Sequence, residues 1–191
     1  MCIKNIFPLF LLIGVQVNAH ISFSPNEGME NSMVTTAFRV GHGCSDAEGN
    51  RYDTIKTMIE IPEGFISTKP EQQAGFDIDI TYRPVDPPEM RHGREVTSTI
   101  HNITYTGLIH DSMYLFLGLR FRTPAKTHHD GMKYPFKVWQ ECTGGDNLNW
   151  VEASGGRRPS PTFTVYAIDD DSTDSMMMPG HNMDNMLRGN S

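Results

Sequence analysis

Phe76-Asp77-Ile78-Asp79-Ile80-Thr81-Tyr82 alternates apolar and polar side chains at every step. Successive side chains of an extended strand point to opposite faces, so this stretch reads as a strand with one side buried and the other wet. Working outward, Thr54 to Ile61 puts Ile55, Ile59 and Ile61 on one face. Similar strands fit Val96 to Tyr105, Met113 to Phe121, Phe136 to Cys142 and Thr162 to Ile168. Gly, Pro, Asn and Asp separate the segments, and no amphipathic run of helical period exceeds two turns. Seven or so short strands punctuated by turns predict an all-β fold, a Greek-key β-sandwich over residues 20–168. No internal repeat is visible.

Both flanks depart from this pattern. Residues 1–19 have the three parts of a secretory signal: a basic start at Lys4, an apolar run from Ile6 to Val15, and compact residues Val17-Asn18-Ala19 before a cleavage point. The run is too short to span a bilayer, and Cys2 precedes it, where no lipoprotein cysteine would lie. The mature chain is expected to be secreted or extracytoplasmic, with neither a membrane span nor a lipid anchor. Residues 169–191 begin with Asp169, Asp170, Asp171 and Asp174 among Ser and Thr, then run through Met176-Met177-Met178-Pro179-Gly180-His181-Asn182-Met183-Asp184-Asn185-Met186. Without a periodic apolar face to offset its ordering entropy, this acidic segment is predicted to be a disordered tail.

The chain has 191 residues and a formal charge of −7, one unit more negative once Lys4 leaves with the signal. Nucleic acid, which needs a basic face, is therefore an unsuitable partner. Two cysteines remain after cleavage, Cys44 and Cys142. In an oxidising compartment they predict a disulfide, with a two-thiolate metal site as the alternative. Closing so long a loop stabilises a fold by about 3–5 kcal/mol on entropic grounds. Asn102-Ile103-Thr104 is an N-glycosylation sequon, of use only in a eukaryote.

Cleavage after Ala19 would make His20 the first residue. A free N-terminal histidine is a ready chelate, because its α-amine and its ring nitrogen close one ring around a metal ion. An α-amine titrates near about 7.7–8, so giving up its proton at neutral pH costs little. Copper(II) heads the divalent affinity order and takes nitrogen donors in a plane. The tail offers a second donor set: Met176, Met177, Met178, Met183 and Met186 are five of the chain's 12 methionines, grouped around His181. Their soft thioethers match copper(I). The remaining histidines point less clearly to metal. His42, in Gly41-His42-Gly43-Cys44, suits a structural hydrogen bond in a turn. His101 and His110 flank a strand and a turn, and whether either approaches His20 depends on the fold. His128-His129-Asp130 reads as a solvated hairpin tip. No nucleotide loop, nucleophile elbow or pair of histidines at helical spacing is present.

In their order and spacing these segments resemble the YcnI-like copper-binding domain. The likeness runs from His20-Ile21-Ser22-Phe23-Ser24-Pro25 through Phe38-Arg39-Val40-Gly41-His42-Gly43-Cys44, Ile61-Pro62-Glu63-Gly64-Phe65, Lys69-Pro70 and Gly75-Phe76. It continues in Ile103-Thr104-Tyr105-Thr106-Gly107, Tyr134-Pro135-Phe136, Gln140-Glu141-Cys142, Asn149-Trp150 and Pro159 to Thr164. The resemblance implies an exported immunoglobulin-like sandwich that binds copper(II) through a brace made by the N-terminal histidine, here His20. It places Trp150 near the metal. It also implies a glutamate one residue before the phenylalanine of a strand, where Met113-Tyr114-Leu115-Phe116 carries Leu115 instead. Asp111 could stand in only through a rearranged turn.

The expected function is that of a secreted, non-enzymatic copper-binding protein for acquisition, trafficking or chaperoning of copper, with another extracytoplasmic copper protein as a possible partner. Two rivals remain at this stage. One is a copper oxidase of the polysaccharide monooxygenase type, which needs a second histidine at the metal. The other is a metal-free secreted sandwich for adhesion or carbohydrate binding.

Overall fold

A computed structural model describes residues 20–91, 93–125 and 131–168. The expected signal segment, the tail and His128-His129-Asp130 lie outside these residues. No helix occurs among the described residues, and none is long and apolar enough to cross a membrane.

Fourteen strands make up the described chain: β1 (Ser22–Ser24), β2 (Glu27–Met29), β3 (Met33–Val40), β4 (Cys44–Ser45), β5 (Arg51–Tyr52), β6 (Thr54–Glu60), β7 (Ile66–Pro70), β8 (Asp77–Arg91), β9 (Arg94–Ile109), β10 (Leu115–Arg122), β11 (Met132–Pro135), β12 (Lys137–Cys142), β13 (Leu148–Trp150) and β14 (Thr162–Tyr166). One sheet has the order β1-β3-β10-β7 and the facing sheet β13-β12-β6-β9-β8. All neighbours within these two sheets are antiparallel. These are the A-B-E-D and G-F-C orders of an immunoglobulin-type sandwich, extended by the β8–β9 hairpin beside the third strand of the second sheet. Strands β11-β14-β2 and the β4-β5 pair form two smaller sheets.

The inner faces share one core. Phe38 and Val40 come from β3, Leu117, Leu119 and Phe121 from β10, Ile59 from β6, Ile103 and Tyr105 from β9, and Val138 from β12. Fully burying side chains of this size stabilises the fold by about 1.5–3 kcal/mol each. Around Phe65 the rings pack edge to face, with centroids 4.8 Å from Phe121, 5.1 Å from Tyr134 and 5.1 Å from Phe136. The Tyr105 hydroxyl crosses between sheets to donate to the Gly118 carbonyl at 3.3 Å. Cys44 and Cys142 are joined in a disulfide. It ties the chain just after β3 to the end of β12, as the B–F bridge does in antibody domains. A two-thiolate metal site is thereby ruled out.

Two expectations about facing need correction. Ile55 does not share the buried face of Ile59 and Ile61; the register of β6 shifts between Thr54 and Lys56, and Thr54 and Thr57 are buried in its stead. Tyr82 is 64% exposed. Between Thr81 and Tyr82 the pairing with β9 skips one residue, and such a bulge turns the following side chains to the other face. Strand β8 also runs on to Arg91 through Pro84, Pro87 and Pro88. As the outermost strand of its sheet it has a free edge, where a missing N–H is tolerated.

Candidate functional site

His20 lies two residues before the start of β1. Ile21 and Phe23 anchor in the core, and pairing of Ser22 with Arg39 brings the start of β1 alongside the end of β3. The His20 ring meets Trp150 edge-on, with centroids 5.5 Å apart and planes at 89°. Trp150 closes β13, where Leu148 and Trp150 face inward and Asn149 outward, so the indole is only 3% exposed.

A polar frame fixes that indole. Its Nε1–H donates to Gln140 Oε1 at 3.2 Å. Gln140, 2% exposed, donates through Nε2 to Thr54 Oγ1 at 2.6 Å and to the His42 carbonyl at 2.8 Å. The His42 ring also meets the indole at an angle, with ring centroids 6.5 Å apart. Its Nδ1–H donates to the Gly43 carbonyl at 2.6 Å, the structural hydrogen bond expected of it.

His20 Nδ1 is buried and has no hydrogen-bond partner among the described residues. Leaving such an atom unpaired costs about 1–3 kcal/mol. It is also the ring nitrogen that would close a six-membered chelate with the α-nitrogen of the same residue. With that nitrogen free, His20 would offer a metal ion two donors once its α-nitrogen is a terminal amine. The indole adds none, because its N–H is directed at Gln140, and its role there is a dry wall.

Beside His20 opens a cavity of about 460 Å³ lined by His20, Arg39, Gly41, Tyr114 and Phe116. Arg39 and Phe116 are cross-strand partners, and the rings of Tyr114 and Phe116 lie 5.6 Å apart, edge to face. Tyr114 is 66% and Phe116 43% exposed. Leu115 turns the other way and packs against the core, so no carboxylate enters from its position. Asp111 is engaged elsewhere. Its carboxylate accepts the Gly43 N–H at 3.1 Å and lies 3.6 Å from Arg51. A Cβ at Gly43 would collide with the Tyr52 carbonyl, so the close approach that sets this bond requires glycine. The Asp111 N–H donates to Asp53 at 2.8 Å, and His110 Nδ1 lies 3.1 Å from the same carboxylate. The bond from Asp111 holds Asp53 below the usual aspartate range, with His110 contributing.

Of the other predicted residues, His101 lies on β9, where its carbonyl accepts the Ile61 N–H. Among the described residues no three His, Cys, Asp or Glu side chains converge as a metal cage. Asn102 lies half-buried on β9, with its backbone N–H on Thr81. Met176, Met177, Met178, His181, Met183 and Met186 lie outside the described residues. Sequence reasoning missed Arg39, Tyr114, Phe116 and Gln140 as parts of this end. Only Gln140 left a signal, a polar residue in the inward set Val138, Gln140, Cys142.

A family model described as "Domain of unknown function (DUF1775)" matches residues 20–165. No curated protein matches the chain. A crystal structure of an uncharacterized protein from Nocardia farcinica, described as revealing an immunoglobulin-like fold, is similar at 15% identity and a TM-score of 0.49, covering 77% of this chain and 98% of that one.

Proposed function

The chain belongs to the DUF1775 family, and we propose that its mature form is a secreted, non-enzymatic copper carrier that holds copper(II) through His20. The observation that carries this reading is the buried, unpartnered Nδ1 of His20 set against Trp150. Two further points support it. The family match starts at residue 20, the residue that cleavage after Ala19 would expose, and the YcnI-like resemblance assigns the same residue to copper.

The chemistry favours copper(II) over other divalent ions. Two nitrogens from one residue suit a tetragonal ion at the head of the affinity series, and they are too few to enclose zinc or calcium. Copper is cargo in this reading. Two protein donors and an open cavity leave positions from which another extracytoplasmic copper protein can withdraw the ion, and the Met176 to Met186 tail would supply a transient site only for copper(I), formed when a one-electron reductant outside this protein, such as a thiol, reduces the copper(II). A carrier is preferred to an oxidase because the oxidase needs a second imidazole at the ion, whereas the described residues lining the cavity beside His20 are Arg39, Gly41, Tyr114 and Phe116.

The test uses two processed forms, one beginning at His20 and one with a single alanine ahead of it, their termini verified by mass spectrometry. Competition titration should give tight 1:1 copper(II) binding for the first and none for the second. Equal affinity for both forms overturns the brace.

A further inference from the structure

The geometry points to a binding site for a small aromatic carboxylate in the cavity beside His20, anchored by Arg39; its contact with the metal rests on the copper reading above. Arg39 is exposed and makes no hydrogen bond or ion pair with any described residue. It is the one side chain with a permanent charge in a described lining otherwise made of His20, Gly41, Tyr114 and Phe116. On a chain of net charge −7, this cavity is a local positive site with no acidic wall.

The shape fits the charge. A guanidinium presents paired N–H groups that match the two oxygens of a carboxylate. Phe116 lies directly across the strand from Arg39, and Tyr114 stands edge-on to Phe116, so an aromatic body attached to the carboxylate finds ring surfaces to pack on. The volume of about 460 Å³ falls within the usual range for small-molecule sites. His20 lines the same cavity, so a carboxylate held there would lie beside the residue that would hold the ion.

The probe is benzoate, with benzyl alcohol as its neutral counterpart, in buffer free of other carboxylates. Metal-free mature protein should bind benzoate and not benzyl alcohol, as followed by amide chemical shifts. Arg39→Met should weaken benzoate binding about tenfold or more, while Arg120→Met, outside the cavity, should leave it unchanged. No benzoate binding by the wild type, or equal binding by Arg39→Met, overturns the site. In copper-loaded protein, benzoate should change the copper(II) electron paramagnetic resonance spectrum of the wild type and not that of Arg39→Met. An unchanged wild-type spectrum at saturating benzoate overturns the metal contact. Should the protein take up no copper, only the carrier reading fails, and the metal-free titration still decides the carboxylate site.

Discussion

The middle of the core and its Trp150 end are built from opposite materials. In the middle, Phe23, Phe38, Phe65, Phe121, Phe136 and Phe163 pack ring on ring, and Phe136 alone has four ring neighbours within 6.0 Å. No side-chain polar atom belongs to these rings. At the Trp150 end, Gln140 and Thr54 enter the core, and His20 Nδ1 lies buried without a partner. Apolar packing is non-directional, so the middle supplies stability and tolerates rearrangement of like volume. Buried polar groups cost free energy unless bonded in a fixed direction, so the other end supplies orientation. Substitutions should separate the two properties.

The largest effect is expected at the middle. Phe136→Ala should cost about 3–5 kcal/mol in urea unfolding, while the folded fraction keeps the copper(II) affinity of the wild type. A loss below about 1 kcal/mol, less than any well-packed phenylalanine shows, would mean that the ring cluster is not where stability resides.

The reverse pattern is expected of Gln140→Met, which keeps the volume and removes one acceptor and two donors. Stability should fall by about 1–3 kcal/mol. The indole, released from Gln140 Oε1, should show a shifted emission maximum, and copper(II) affinity should drop about tenfold, the usual size of a loss when the group that orients a metal site is removed. Wild-type emission and affinity in a destabilised Gln140→Met protein would reduce Gln140 to a packing residue.

The two regions were unequally legible in the sequence. Alternation at Phe76 to Tyr82 and at Phe136 to Cys142 announced strands because each has one dry face, and Cys44 with Cys142 announced the bridge. Strands β1 to β3 were harder to see: β1 and β2 have three residues each, and the two sheets that these strands join are defined by distant partners in β10 and β14. Bulges hid the true facing of Ile55 and Tyr82, since a one-residue slip leaves no mark on composition. His20 was named from the cleavage point that would free its amine, and Trp150 through a resemblance. Their contact depends on a meeting of the two sheets, which no local pattern encodes. Tyr114 and Phe116 alternate with Leu115 and Leu117, so the apolar face could be read either way until pairing with β3 fixed it. Arg39 looked like any exposed strand residue.

A smaller effect should mark the outer support of the polar end, and pH is the means to isolate it. Asp53 accepts the Asp111 N–H and lies against His110, and Asp111 in turn accepts from Gly43, next to the disulfide. These bonds favour the ionised Asp53, so its folded value lies below the ordinary 3.8. A lowered folded value means that the unfolded chain takes up the proton first as pH falls. The contribution is therefore complete above the ordinary value and is lost as pH drops through the folded one. Asp53→Asn should lower the melting temperature at pH 6, and the gap to the wild type should close as pH is taken from 4 towards 2. Because the middle of the core has nothing to titrate in this range, Phe136→Leu should show a gap that does not move over the same interval. A constant gap for Asp53→Asn would show that the turn is held by its remaining hydrogen bonds and not by the charge.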